Sequence, residues 1–401
     1  MGFIFKNQKI AFLATFMYIL FPFALVYDRI ALYDSLVAAF IIWSLYFEIL
    51  LIKHVRLDLA FILGMIVGAG MLTKSSADFA LILLPFSLLL FNFKLKNRKQ
   101  KLVSWAIYAV VATFIANIIY NILRLSPFFY IINQKNNLFI YSPKEWIQHP
   151  FTYFLNNLSL FLGWLIGYTT IPFLILVLAA FIINSKYTRE KLLILLWFIL
   201  PIISTALFGR LLYARFILFM TVPLIVLASY SLFVLMGKLK YLWLKSLILI
   251  GFLFLFLLSD YYIITDFKNA PIPQSDKGQF ITGWPSGVGV AETVSFLGDQ
   301  AKNQKIFVGT QGTFGLMPYS LEIYLHNNPN IKITGYWPTG NLPPKEVLAI
   351  SKKMPTYFIF YQACEYCKNL GVAPASWPVK IIFQTEKVEK GQFYTLYKFN
   401  P

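Results

Sequence analysis

The side chains of this sequence that could do chemistry are few, and they lie at the edges of apolar runs. Tyr27, Asp28, Arg29 and Asp34 fall within "VYDRIALYDSLVAAF"; Lys74 and Asp78 follow a Gly-rich apolar run; Arg210 and Arg215 precede another. An ionisable group inside a membrane span costs about 2.5 to 3.5 kcal/mol at the centre on insertion scales, and less near an end. It therefore faces protein or water, and it marks function by default. For each of these groups the alternative is a charged side chain snorkelling to the headgroups from a span end. Asp34 suits that alternative least, because "YDSLVAAF" continues unbroken into the next apolar run. Asp28 suits it best.

Three further patterns have a chemical reading. The two cysteines form "CEYC", Cys364 and Cys367, after an apolar β-rich run. A local structural disulfide is the simpler reading, a thioredoxin-like redox pair is the alternative, and a zinc ribbon would need a second pair. "GTQGTFG", Gly309 to Gly315, follows an expected strand and precedes an expected helix. It reads as a tight turn, with an anion cradle on backbone amides as the alternative, and it lacks the Lys and Ser/Thr of a P-loop. His54, His149 and His326 are scattered, which gives a histidine-based zinc centre little support.

The elements that must position these groups are mostly membrane helices. The chain is 58% hydrophobic and 13% charged, and apolar runs of about 18 residues or more recur. Nine spans are expected, at about 10-27, 33-52, 57-73, 77-93, 102-123, 153-183, 191-208, 216-236 and 246-264. The first run lacks a small-residue cleavage pattern and reads as a true span. Two domains follow: a polytopic α-helical membrane domain over residues 1–264 and a small α/β domain over residues 265–401. Expected strands are "KIFVG", "IKITGYW", "TYFIFY", "KIIFQTE" and "QFYTLYKF", with helices in "GVAETVSFLGDQA", "LMPYSLEIYLH" and "PPKEVLAISKKM".

Charge orients the chain. Residues 1–264 carry 22 Lys and Arg against 8 Asp and Glu, a net +14, whereas the remainder carries +4 and no arginine. The basic excess belongs to membrane loops, where a topogenic signal and anionic headgroups explain it better than nucleic acid does. Alternate loops hold 15 and 7 basic residues, the tail aside. The positive-inside rule then expects the N-terminus in the cytoplasm and, with nine spans, the C-terminal domain outside the plasma membrane. In this topology Asp28, Arg29, Asp34, Lys74, Asp78, Arg210 and Arg215 share the outer face. The loop Leu125 to Pro150, rich in Tyr, Trp and Phe, reads as an interfacial amphipathic segment or as an aromatic belt packed on neighbouring spans.

These residues resemble a family. "YDRIALYDSLVAAF" is similar to the second acidic motif of multi-span GT-C glycosyltransferases, in the branch of protein mannosyltransferases and lipid A aminoarabinose transferases. Tyr27, Arg29 and Asp34 match, and Leu32 replaces a second Arg. "GMIVGAGMLTKSSA" resembles the family's Gly-rich span ending at Lys74, and "YARFILFMTVPLIVLAS" its late span. "GWPSGVGVAETVSFL" and "VGTQGTFGLMPYSLEIYL" resemble the opening of a tail domain common in bacterial members. The resemblance implies transfer of a sugar from a polyprenyl-phosphate donor to a lipid, glycan or protein acceptor. It implies a phosphate clamp made of Lys74 with Arg210 or Arg215, since a lipid-phosphate leaving group needs fixed positive charge. Asp34 would hold a divalent metal ion or orient the acceptor, and Arg29 would hold Asp34 or meet phosphate.

One departure stands at the start. Met1 lies just before what matches the family's third span, so the acidic first outer loop thought to carry the catalytic base has no counterpart. Three readings follow: a companion polypeptide supplying that loop, a truncated product, or a chain without activity. The alternatives to an enzyme are a scaffold or donor-binding partner whose tail recognises glycan or polypeptide, and, with less support, a transporter of lipid-linked sugars.

Overall fold

The computed structural model describes residues 4–30, 32–283 and 285–400, the side chain of Asn133 excepted. Two compact units divide at Pro273, a little beyond the end of the apolar sequence. The first is helical, and its first six helices are α1 (Gln8–Ile19), α2 (Pro22–Asp28), α3 (Asp34–His54), α4 (Leu57–Thr73), α5 (Phe79–Leu83) and α6 (Arg98–Asn121). There follow α7 (Tyr130–Phe139), α8 (Pro143–Gln148), α9 (Phe154–Thr169), α10 (Ile171–Ile182), α11 (Thr188–Phe208), α12 (Leu218–Lys238) and α13 (Leu242–Thr265).

Among the described residues, five helical segments are long and apolar enough to cross a membrane, or up to seven if each of two bent pairs counts as one span. Four of the nine expected spans differ, and the first of them, 10-27, bends by 56° between α1 and α2. The expected span 153-183 breaks between α9 and α10 with a bend of 103°. Thr170 at the break has φ 67°, a conformation that costs a β-branched residue energy, and Pro172 opens α10 where its missing N–H costs nothing. The expected spans 57-73 and 77-93 are shorter apolar helices; the second is α5 flanked by 3-10 turns, with Pro85 just inside the latter turn.

α12 is the hub. Its most apolar window is 89% buried, against 17% for α6, and α1, α3, α10 and α11 pack around it. A helix apolar on every side suits such a centre, as it also suits a lipid-facing span. α4 packs closely on α6, because Gly64 and Gly68 let the backbones approach. A Cβ at Gly64 would meet the Ala112 carbonyl at 2.7 Å, and one at Gly68 would meet Ile119 Cβ at 2.8 Å. Small residues four apart allow this in membranes, where no hydrophobic force drives helices together.

The second unit holds α14 (Gln274–Lys277), α15 (Val290–Gln300), α16 (Tyr319–Leu325) and α17 (Lys345–Ser351) around one sheet. Its strands are β1 (Ile306–Gln311), β2 (Ile331–Tyr336), β3 (Thr356–Phe360), β4 (Val379–Glu386) and β5 (Phe393–Phe399), in the order β2-β1-β3-β5-β4. β1 pairs parallel with β2 and β3; β5 runs antiparallel to β3 and β4. β1 and β3 are buried on both faces, which explains their continuous apolar runs. One face packs under α15 and α16 around Val308, Tyr357 and Leu396. The other packs under α17 around Phe307, Phe358 and Trp377.

Candidate functional site

Three element ends meet in the first unit. Asp34 opens α3, Lys74 closes α4, and Arg215 lies in the 3-10 turn Ala214–Ile217 that leads into α12. Lys74 Nζ donates to Asp34 Oδ1 at 2.5 Å, and Arg215 Nε stands 3.9 Å from Asp34 Oδ2. The local fold favours this pairing, because a carboxylate at a helix N-terminus and an ammonium at a C-terminus both oppose the helix dipole. The Asp34 side chain is 7% exposed, against 27% for Lys74 and 16% for Arg215. The carboxylate is therefore dry, and the two cations lie between it and the surroundings. One negative and two positive charges leave an excess of +1 at a partly open place, and the wider spacing of Arg215 leaves its forked N–H donors to spare. That arrangement suits an anion.

An aromatic wall backs the cations. Lys74 Nζ lies 4.4 Å from the Phe216 ring centre, and the Arg215 guanidinium lies 4.3 Å from Tyr213 and 5.5 Å from Phe216. Rings of this kind hold a cation without neutralising it. Phe139, at the end of α7, packs edge-on to Phe216 at 5.9 Å and to Tyr213 at 6.4 Å, so the Leu125–Pro150 loop reaches the wall.

Arg210 serves that loop and not the clamp. Its Nη2 meets Glu145 Oε1 at 2.9 Å, its Nη1 donates to the Asn137 carbonyl, and Tyr141 lies under it at 4.6 Å. A backbone bridge between Ile140 and Gly209 fixes the same junction. Ser142 and Glu145 form a capping box at the start of α8. Hydrogen bonds from the Ser142 N–H and hydroxyl hold the Glu145 carboxyl below its usual range, and Arg210 adds to this. The sequence clamp of Lys74, Arg210 and Arg215 is thus divided: Lys74 and Arg215 share Asp34, and Arg210 braces the loop.

Arg29 also stands elsewhere. Its Nη1 donates to the Ile263 carbonyl in the last turn of α13, and no contact joins it to Asp34 among the described residues. Asp28 and Asp78 are exposed, and Asp28 accepts a 3.5 Å hydrogen bond from Tyr18. Tyr27 is buried beside Phe23 and Tyr168. A divalent ion at Asp34 does not fit the donors present, because both carboxylate oxygens face cations, and no three His, Cys, Asp or Glu side chains gather among the described residues. His149 packs edge-on against Tyr141 and Tyr153. Cys364 and Cys367 are joined as a disulfide, and Gly309–Gly315 is the end of β1 followed by a turn, with φ +98° at Gly312 and +85° at Gly315.

Sequence reasoning missed the wall and one carboxylate. "YARF" carries the signal for Tyr213 and Phe216, and the Ser142-x-x-Glu145 spacing that of the capping box. Glu48, a lone acid in the run of α3, is buried with neither carboxylate oxygen hydrogen-bonded. No protein-family model and no curated protein matches the chain.

Proposed function

We propose that the chain is a membrane glycosyltransferase of the GT-C kind, moving a sugar from a polyprenyl-phosphate donor to a lipid, glycan or protein acceptor at the outer face of the plasma membrane. The observation that supports this is the pair Lys74 and Arg215 on the single buried carboxylate of Asp34, at helix ends and against rings. In the transfer an acceptor hydroxyl bonds to the sugar's anomeric carbon as the bond from that carbon to the phosphate oxygen breaks, and the hydroxyl's proton passes to the departing phosphate, directly or through water. The electron pair stays on the leaving lipid phosphate. Lys74 and Arg215 receive the charge that develops there, in a place where water screens it little. Asp34 acts as a positioning residue that holds both cations ready.

A second reading, a donor-binding partner without transfer activity, has one observation in its favour: both oxygens of Asp34 face cations, Lys74 at 2.5 Å and Arg215 at 3.9 Å, so the carboxylate serves the two cations. Two assays on the full chain in nanodiscs separate the readings. Photo-crosslinking with a radiolabelled, photoactivatable polyprenyl-phosphate sugar reports binding, and release of label to an acceptor fraction reports transfer. Arg215→Ala removes a charge-assisted contact and should lower crosslinking by about ten- to a hundredfold, and Arg215→Lys should restore only part. Crosslinking that responds in this way without transfer selects the binding partner. Crosslinking indifferent to both Arg215→Ala and Lys74→Ala removes the phosphate reading altogether.

A further inference from the structure

β1, β2 and β3 run parallel, so the segments leaving them emerge at one edge of the sheet. β1 connects to β2 through α16, whose Leu321 and Leu325 join one core, and β2 connects to β3 through α17, whose Val347 joins the other. The connections depart on opposite faces and part between β1 and β3. Open parallel sheets bind their ligands at such a switch point.

Each departing segment carries an exposed aromatic ring: Phe314 after β1 at 65%, Trp337 after β2 at 54% and Tyr366 after β3 at 50%. Trp337 and Tyr366 belong to neither core, yet the backbone under them is fastened. Gln311, fully buried at the end of β1, donates from Nε2 to Thr339 Oγ1 and to the Ala363 carbonyl, both at 3.3 Å. Its Oε1 accepts from the Tyr361 and Gln362 N–H groups at 3.0 Å. One side chain in the middle strand thus holds the loops on either side. The Cys364–Cys367 disulfide closes the turn that bears Tyr366, and Trp377 Nε1 braces the loop after Trp337 through the Gly340 carbonyl. Large rings left in water on braced loops are a feature of binding surfaces.

The chemistry around the rings identifies the occupant. With β1 between them, the ends of β2 and β3 stand about 9.5 Å apart, and Thr313, Glu365, Lys368 and Asn369 are exposed on the same loops. Leu342 is also exposed on the loop after β2, but a protein interface depletes charge at its centre, whereas Glu365 and Lys368 flank Tyr366 on its loop. A phosphate would call for clustered cations, whereas Lys368 is accompanied by Glu365. A pyranose offers an apolar C–H face that stacks on a ring and a girdle of hydroxyls that needs hydrogen-bonding side chains between the rings. We infer that this edge is a carbohydrate-binding face for a neutral oligosaccharide, with sugar rings on Trp337 and Tyr366 and hydroxyls met by Thr313, Glu365 and Asn369. The inference stands apart from the transfer reading; taken together with it, it makes the acceptor a glycan.

Saturation-transfer difference NMR on the full chain in nanodiscs tests it, with soluble oligosaccharides of glucose, mannose and N-acetylglucosamine as probes. Saturation should pass to the sugar C–H protons of at least one series. Trp337→Ala and Tyr366→Ala should each weaken binding about tenfold, Trp337→Phe should recover most of it, and Arg215→Ala should leave it unchanged, so the two readings fail separately. No transfer to any of the three series overturns the inference, as does transfer indifferent to both alanine variants. A Trp337→Ala effect confined to contact with the nanodisc lipid also overturns it and assigns the edge to the membrane surface.

Discussion

Arg29 shows how far one residue's chemistry can be read before its neighbours are known. The sequence placed it near Asp34, five positions earlier than a residue that Lys74 holds from 40 positions away, but its guanidinium caps α13 at the Ile263 carbonyl. Helix C-terminal carbonyls lack intrahelical partners and favour a cation. Arg29→Ala should therefore loosen the last turn of α13 by about 1 kcal/mol, seen as roughly fivefold faster amide exchange at Tyr261 to Thr265. A fall in donor crosslinking as large as that of Arg215→Ala, without faster exchange, would return Arg29 to the phosphate. Asp34, Lys74 and Arg215 were legible as ionisable groups at span ends. The choice between Arg210 and Arg215 was not, because they stand five positions apart in one short loop, and it takes the bridge of Gly209 to Ile140 and the contacts to Glu145 and Asn137 to turn the first away.

At the scale of elements, apolar runs and turn residues were legible and close approaches were not. All five strands of the tail lie where alternation and β-rich runs put them, and α15, α16 and α17 lie in the expected segments. The bend between α9 and α10 escaped, since hydropathy is indifferent to a left-handed Thr170, although Pro172 was a helix-start signal. The Gly-rich run of α4 was read as a family feature; its physical role is contact. Gly68→Leu would drive a side chain into Ile119 on α6, and overpacking of this kind costs about 1 to 3 kcal/mol. Its unfolding midpoint in nanodiscs should fall by several degrees, while Gly251→Leu on α13, where a Cβ meets nothing within 4 Å, should not lose stability. Equal midpoints for the two variants would show that α4 and α6 do not need the close approach.

For the whole molecule, the composition shift foretold two units, whereas of the nine expected spans five are single helices long and apolar enough to cross, or up to seven with the bent pairs, among the described residues, because helix length and bending are not written in hydropathy. The units also differ in what titrates within them. In the tail, Lys387 is buried and donates to the Tyr361 carbonyl at 2.8 Å, and burial lowers its ammonium from 10.5 to about 8. Between those values the unfolded chain binds a proton that the folded tail does not, so stability rises with pH across that window, by about 2 kcal/mol once screening at the sheet edge is allowed for. The buried hydroxyl of Tyr361 is shifted the other way, up to about 12, and that of Tyr394 is raised as well. An unfolded tyrosine ionises near 10 while these hold their protons, so stability falls above that pH. The tail should thus be most stable near pH 10. Pulse proteolysis of the full chain in urea, read on the tail fragment from about pH 7 to pH 11, should show the midpoint rise and then fall. Lys387→Met should flatten the rise and keep the fall, whereas a wild-type midpoint constant from pH 8 to 10 would mean that the Tyr361 carbonyl and its surroundings stabilise the ammonium as well as water does.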